Sequence, residues 1–393
     1  MQTPKHIVLA RSFIIVLILV LAGCSSINDM FRKSEPAQPP EPLSELKPSL
    51  SVTQLWQQNI GASSEKSSLS LRPAFSGPLV FAADPLGSVS AYQAASGDQA
   101  WQTNNDLQIT GGPGAGEGLV ILGTENGEVL ALHAEDGREA WRGRVSSEVL
   151  SVPLAANGIV VVRTGDGKLY GLNSKDGSHL WVYDRTVPAL SLRGTSNPVL
   201  YEDTVIAGFD SGRLVNLELK NGQLLWETRV AIPSGRSELE RLVDIDADPI
   251  ASNGVIYVVT YQGRIAAVDT RDGKLTWRRD MSSHTGLGIS KRNIYVTDDN
   301  GRIWALDRGN SASVWRQDKL ERRRTTAPVD FKGYVVAGDY QGYLHFMDSD
   351  DGHLVARVQV DSEGIEVSPV VHGERLFVYG KSGSLTAIDI KQP

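Results

Sequence analysis

From about residue 80 to the end of the chain, apolar and polar positions alternate with a period of two over short runs, and glycine-containing turns separate the runs. Such alternation marks strands that bury one face. The runs recur as a unit. One copy, 124–141, reads TENGEVLALHAEDGREAW; the next, 164–181, reads TGDGKLYGLNSKDGSHLW; another, 260–277, reads TYQGRIAAVDTRDGKLTW. Each opens with a tight turn ending in Gly, continues as an alternating stretch, turns again at a DG or NG pair, and ends on a strand closed by Trp. Glycine supplies the positive φ that such hairpin turns require. Each unit is therefore a β-hairpin, preceded by a further apolar strand such as 158–163, GIVVVR.

The first-turn glycines are Gly87, Gly127, Gly167, Gly212, Gly263, Gly301, Gly342 and Gly383, which makes eight units. Trp101, Trp141, Trp181, Trp226, Trp277 and Trp315 each lie 14 positions after one of the first six. In the seventh unit Ala356 takes the tryptophan place, where a looser contact is expected. The eighth unit ends at Pro393 before its last strand, and the missing strand is present at the other end, 51–57, SVTQLWQ, with Trp56. The fold class is all-β: an eight-bladed β-propeller of four-stranded antiparallel blades over residues 51–393, its ring closed by the N-terminal strand. Radial repetition protects sheet edges that an open row would expose. A solenoid, the rival architecture, would not need the first strand to complete the last unit. The seven tryptophans of the series are docking wedges between blades, each able to bury about 150–250 Å². Trp304 falls outside the series.

The N-terminus reads differently. Lys5 and Arg11 precede an apolar run, 12–22, of about ten residues, where a membrane-spanning helix needs roughly 20. That pattern is a signal-peptide core. It ends in Leu21-Ala22-Gly23-Cys24, a lipobox around the only cysteine of the chain. Residues 1–23 are expected to be removed, leaving Cys24 with N-acyl and S-diacylglycerol lipid, which is anchoring enough where a single chain is marginal. Ser25 and Ser26 follow with no Asp beside the cysteine, the pattern sorted to the Gram-negative outer membrane. Residues 34–49, SEPAQPPEPLSELKPS, cannot bury a core. The segment 24–50 is therefore expected to be a lipidated, flexible, Pro-rich tether.

Charge narrows the function. The net charge is −7, and loss of Lys5 and Arg11 leaves −9 on the mature chain. An acidic exported protein is a poor nucleic-acid binder. The run Arg322-Arg323-Arg324 reads as a solvated loop. No Ser-His-Asp signature, HExxH or phosphate loop is present. Seven histidines are scattered, with His133, His179, His345 and His353 inside repeats. His345 and His353 are only loosely spaced, a weak metal signal, so no metal or catalytic residue is expected.

Loop length singles out one region. From Trp to the next turn Gly the first two intervals take 26 residues, but the following two take 31 and 37. The first long loop brings Leu190 and Leu192 beside Arg193; the second brings Asp244, Asp246 and Asp248 beside Arg241. Apolar anchors with an Arg and a rim of charge suit a protein interface. The bland alternative is a pair of tolerated insertions.

Two resemblances bear on these features. The segment 267–277, AVDTRDGKLTW, resembles the tryptophan-docking motif of quinoprotein (PQQ-repeat) propellers, which include PQQ-dependent dehydrogenases. That resemblance implies Ca²⁺, a pair of adjacent cysteines and a longer chain, none of which this sequence offers; a quinoprotein or small-ligand-binding periplasmic propeller stays as the alternative function. The lipobox, the tether and the eight-unit propeller together resemble the propeller-lipoprotein family of the outer-membrane β-barrel assembly (BAM) machinery. The match is most specific at 189–197, ALSLRGTSN, and 237–249, SELERLVDIDADP. It implies a non-catalytic scaffold without cofactor, lipid-anchored in the inner leaflet of the outer membrane and facing the periplasm. It also implies contact with the periplasmic domains of BamA and other BAM subunits through Leu190, Leu192, Arg193, Asp244 and Asp246, and assistance to unfolded outer-membrane protein precursors, reached by strand addition.

Overall fold

The computed structural model describes residues 39–61, 70–184, 196–232 and 243–391. Eight antiparallel sheets follow one another along the chain. Blades 1 to 7 are each built from four consecutive strands, beginning at Ala74, Ile109, Leu154, Val199, Ile250, Leu287 and Val329. Blade 8 takes three strands from Val370 onward and its outermost strand, Ser51–Asn59, from the N-terminal side. That strand runs antiparallel to Ser384–Lys391, from Ser51 opposite Lys391 to Asn59 opposite Ser384. Blade 2 carries an addition absent from the repeat: Ser70–Leu71 pairs in parallel with its innermost strand, Ile109–Gly116.

Burial explains the sequence pattern. The second strand of blade 3, Ile159–Arg163, is buried at every position, because its two faces meet blades 2 and 4. The outermost strand, His179–Tyr183, is buried only at Trp181. In five of the blades the side chain of the residue opening the first turn, Asp84, Thr124, Thr260, Asp298 or Asp339, caps it. Thr124 Oγ1 accepts the Glu128 amide at 2.9 Å, and Asp298 Oδ1 accepts those of Asn300 and Arg302 at 3.0 Å. A short polar side chain bonding the backbone two to four residues on is what favours Thr and Asp there.

The tryptophans dock as the repeat implies. Each Nε1 donates to a carbonyl of the following blade at 2.7–3.2 Å: Trp56 to Ala94, Trp101 to Ala134, Trp141 to Ser174, Trp181 to Leu219, Trp226 to Thr270, Trp277 to Arg308 and Trp315 to Ser349. In six of the seven cases the indole lies against the second-turn glycine of that blade. A Cβ on Gly177, whose φ is +71°, would stand 2.5 Å from Trp141 Cε3. The residue two positions after the tryptophan often adds a second bond to the same turn, as Gln58 does to Gly97 O at 2.9 Å and Gln317 to Gly352 O at 2.7 Å.

Two features correct the sequence reading. Residues 41–50, expected to belong to a flexible tether, lie along the outer rim of blade 7. The Glu41 amide donates to Glu321 O at 3.0 Å, Arg357 Nη2 to Ser44 O at 2.8 Å, and the Ser49 amide to Val355 O at 2.9 Å. The Pro-rich composition prevents a core but not an extended strap. Nor is the contact at Ala356 loose: Leu50 is buried with Val355, Ala356 and Ile390 between blades 7 and 8.

Trp304 also finds a role. It packs with Trp277 in the cluster between blades 5 and 6. Its Nε1 donates to Asp298 Oδ2 at 2.9 Å, and Arg279 and Arg316 lie over its ring at 5.4 and 5.1 Å.

Candidate partner interface

Leu190, Leu192, Arg193 and Arg241 lie outside the described residues, as does Cys24. The aspartates of the second long loop are described, and they do not form a solvent-facing rim. Asp244 is buried at 2% exposure, and Asp246 and Asp248 are partly buried. They gather about a cation that the sequence reading overlooked, Arg163, at the end of the second strand of blade 3.

Arg163 is 2% exposed. Its guanidinium lies over the Phe209 ring at 4.8 Å, and its Nη1 donates to Ser196 O at 3.2 Å and Ser196 Oγ at 3.0 Å. Nη2 stands 4.0 Å from Asp210 Oδ1. Burial pulls the Arg163 pKa below its ordinary value, against the opposite pull of Asp210, Asp246, Asp244 and Asp248. The carboxylates respond in kind. Burial first, and the neighbouring charge of Asp244 second, push Asp246 up to about 7. Burial likewise raises Asp210, with Arg163 opposing. Asp246 Oδ1 is buried without a hydrogen-bond partner among the described residues, as is Arg163 Nε. A buried carboxylate lacking a donor is costly to keep ionised. A cation or N–H donor brought by a partner would relieve it.

A signal for Arg163 was present in the sequence. The residue before the turn cap is Ala83, Gly123, Arg163, Phe209, Val259, Thr297, Gly338 or Tyr379 in the eight blades. Arginine is the one charged residue in that series, and it follows three consecutive valines.

The remaining candidate groups resolve separately. Arg323, expected to be solvated, is 2% exposed. Its Nε donates to Asp339 Oδ2 at 2.8 Å, the same oxygen that lies 2.9 Å from Nε2 of the fully buried His345. Arg323 Nη1 donates to Glu41 O at 3.0 Å, which ties this buried triad to the strap. His353 stands apart on the second turn of blade 7, its Nδ1 at 2.5 Å from Asp351 Oδ1. Asp348, Asp351 and His353 could together present three donor atoms to a cation, but two of the three residues are exposed.

A cavity of about 210 Å³ opens beside the inner strands of blades 1 to 4, lined by Arg72, Phe75, Pro113, Pro153, Leu154 and Asn197 among others.

Comparison with known proteins bears on the whole chain. A family model described as outer membrane protein assembly factor BamB matches residues 85–317 and 312–392. A protein of that name from Pseudomonas aeruginosa (strain PAO1) is 46% identical over 378 residues, covering 96% of this chain and 98% of its own. The crystal structure of BamB from Moraxella catarrhalis superimposes with a TM-score of 0.79 at 27% identity, over 86% of this chain and 100% of that one. A quinohemoprotein alcohol dehydrogenase from Comamonas testosteroni reaches a TM-score of 0.67 at 12% identity, over 86% of this chain and 76% of its own. At that identity the likeness is one of fold.

Proposed function

The chain belongs to the BamB family of outer membrane protein assembly factors, and from that premise we propose that it is a non-catalytic scaffold subunit of the outer-membrane β-barrel assembly complex. The lipobox supports anchoring of residues 24–40 to the outer membrane through lipid on Cys24, with the propeller on the periplasmic side. The partner is the set of periplasmic domains of BamA, held by the loops of blades 3 to 5: Leu190, Leu192 and Arg193 as anchors, with Asp244 and Asp246 behind them. No cofactor enters this role. The single cysteine is committed to lipid, so the cysteine pair implied by the quinoprotein resemblance has no counterpart in this chain.

The observation that carries the reading is the buried Asp246 Oδ1, without a hydrogen-bond partner among the described residues, beside Arg163 at the two blades whose loops are longest. A propeller does not need a buried carboxylate oxygen without a donor for its stability, and such groups concentrate where function requires them. The test is capture of BamA periplasmic domains by the mature protein and by Leu192→Asp, Arg193→Ala and Asp246→Ala variants. Loss of capture with an unchanged circular dichroism spectrum supports the interface. Undiminished capture by all three folded variants rules it out.

A further inference from the structure

Asp248 belongs by sequence to a charged rim, but its carboxylate bonds residues that lead into the inner strands of other blades. Oδ1 accepts the Asn197 amide at 2.7 Å, and Oδ2 accepts Asn197 Nδ2 at 2.7 Å and Arg72 Nη1 at 2.8 Å. Asn197 Oδ1 in turn accepts the Val152 amide at 2.5 Å. These residues stand at the starts of blades 1, 3, 4 and 5. Arg72 itself sits against the inner strand of blade 2, its amide donating to Gly112 O at 3.4 Å, so its bond to Asp248 spans the inside of the ring from the entry of blade 1 to blade 5.

Arg72 is held where it can make that reach. Ser70–Leu71 is the parallel addition on the inner strand of blade 2, and Leu71 is buried in the core shared by blades 1 and 2. The glycines beneath permit close approach: a Cβ on Gly114 would stand 2.0 Å from Pro153 O and one on Gly111 2.4 Å from Ser151 O. Blades 2 and 3 thus meet backbone to backbone next to Val152.

The far end of this chain of bonds touches the Arg163 cluster directly. Ser196, which accepts two bonds from Arg163, immediately precedes Asn197. Asp246 lies two residues before Asp248. A displacement of Asn197 or Asp248 therefore moves the groups that surround Arg163.

We propose that Arg72 is a positioning residue: a clasp thrown across the inside of the ring from the inner strand of blade 2, which fixes the first residues of blades 4 and 5 and through them the geometry of the Arg163–Asp244–Asp246 cluster. Its consequence for binding rests on the partner reading above. The side chains of Arg72 and Asp248 are 36% and 28% exposed. A pair so wetted adds little to global stability, yet a doubly occupied carboxylate with charge-assisted bonds restricts geometry strongly. The clasp also places a charged pair beside the cavity.

The test uses the full mature chain with Arg72→Ala and Arg72→Lys. Hydrogen exchange of the free protein is read over 196–209 and 243–259, with 334–338 in blade 7 as the reference. Affinity for the BamA periplasmic domains and the melting temperature are read alongside. For Arg72→Ala the expected result is exchange faster by about fivefold in the two segments, an unchanged reference, a nearly unchanged melting temperature and affinity weaker by about fivefold. Arg72→Lys should recover part of both effects, since it keeps the charge but not the fork. Unchanged exchange in the two segments overturns the clasp. Faster exchange everywhere with a matching fall in melting temperature assigns Arg72 to general stability and overturns it equally. If exchange responds as expected while even the unaltered protein fails to bind those domains, the clasp stands and the partner reading falls.

Discussion

Seven of the seams between blades are closed by a tryptophan lying on the second turn of the next blade, and the seam between blades 7 and 8 is closed by other means. The tryptophan needs a turn to rest on, with a positive-φ residue, glycine in six of the seven, under its ring and a carbonyl for its Nε1. Blade 8 has no second turn, because its third strand ends near the C-terminus and its fourth begins at Ser51. A tryptophan at position 356 would face a chain break. Alanine stands there instead, and the strap 41–50 delivers Leu50 into the gap. The closing of the ring and the loss of one tryptophan are thus a single event, and the strap is the compensation for it.

The sharpest way to break the comparison is at a regular seam. Trp141→Ala removes a buried indole and leaves Ser174 O without its donor, and should cost about 3–5 kcal/mol in urea unfolding. At the irregular seam the matching change is Leu50→Ala, with an expected cost of about 2–3 kcal/mol, since a smaller side chain leaves a smaller void. A loss at Leu50 below about 0.5 kcal/mol, the scale of an ordinary surface substitution, would show that the strap merely lies on the rim. Ala356→Trp should also destabilise, by about 1–2 kcal/mol, because the inserted ring has no turn to lie on and must displace Leu50. Any stabilisation by that change would refute the claim that the missing turn explains the alanine.

Periodicity made the regular seams legible in advance. A 14-residue spacing from turn glycine to tryptophan is a local signal, and a local signal repeated six times, on eight turn glycines, leaves little choice of fold. The strap was not legible, because its composition says only that it cannot make a core of its own; its partners, Val355, Arg357 and Arg323, are some three hundred residues away. The acidic cluster was half legible. Loop length singled out the two intervals on either side of blade 4, and the acidic triplet of Asp244, Asp246 and Asp248 stood out. Their burial did not, because it depends on Arg163 from an earlier blade, whose charge inside an apolar strand was the signal left unread. Asp248 shows the same limit: its partner Arg72 is brought to it only by closure of the ring.

The smallest expected effect lies within the regular set, between blades 5 and 6. Trp277 donates to Arg308 O at 2.9 Å as its counterparts do, but the second turn of blade 6 has Ser311 where the other docked turns have glycine, and Ser311 holds a φ of +61°. For an L-residue that conformation costs about 1–2 kcal/mol, against which glycine would lose about 0.5–1 kcal/mol through its larger unfolded-state freedom. Ser311→Gly should therefore stabilise the protein by roughly 0.5 kcal/mol, the difference between those terms. The backbone bonds of this turn survive the change, since the Ser311 amide donates to Asp307 O at 2.9 Å and its carbonyl accepts Arg279 Nη1 at 2.8 Å. Arg279 also lies over Trp304, so this seam carries a second aromatic ring in addition to the docked one. If the variant proves less stable than the parent in urea, the serine side chain is part of that packing, and this seam is built on a different principle from its neighbours.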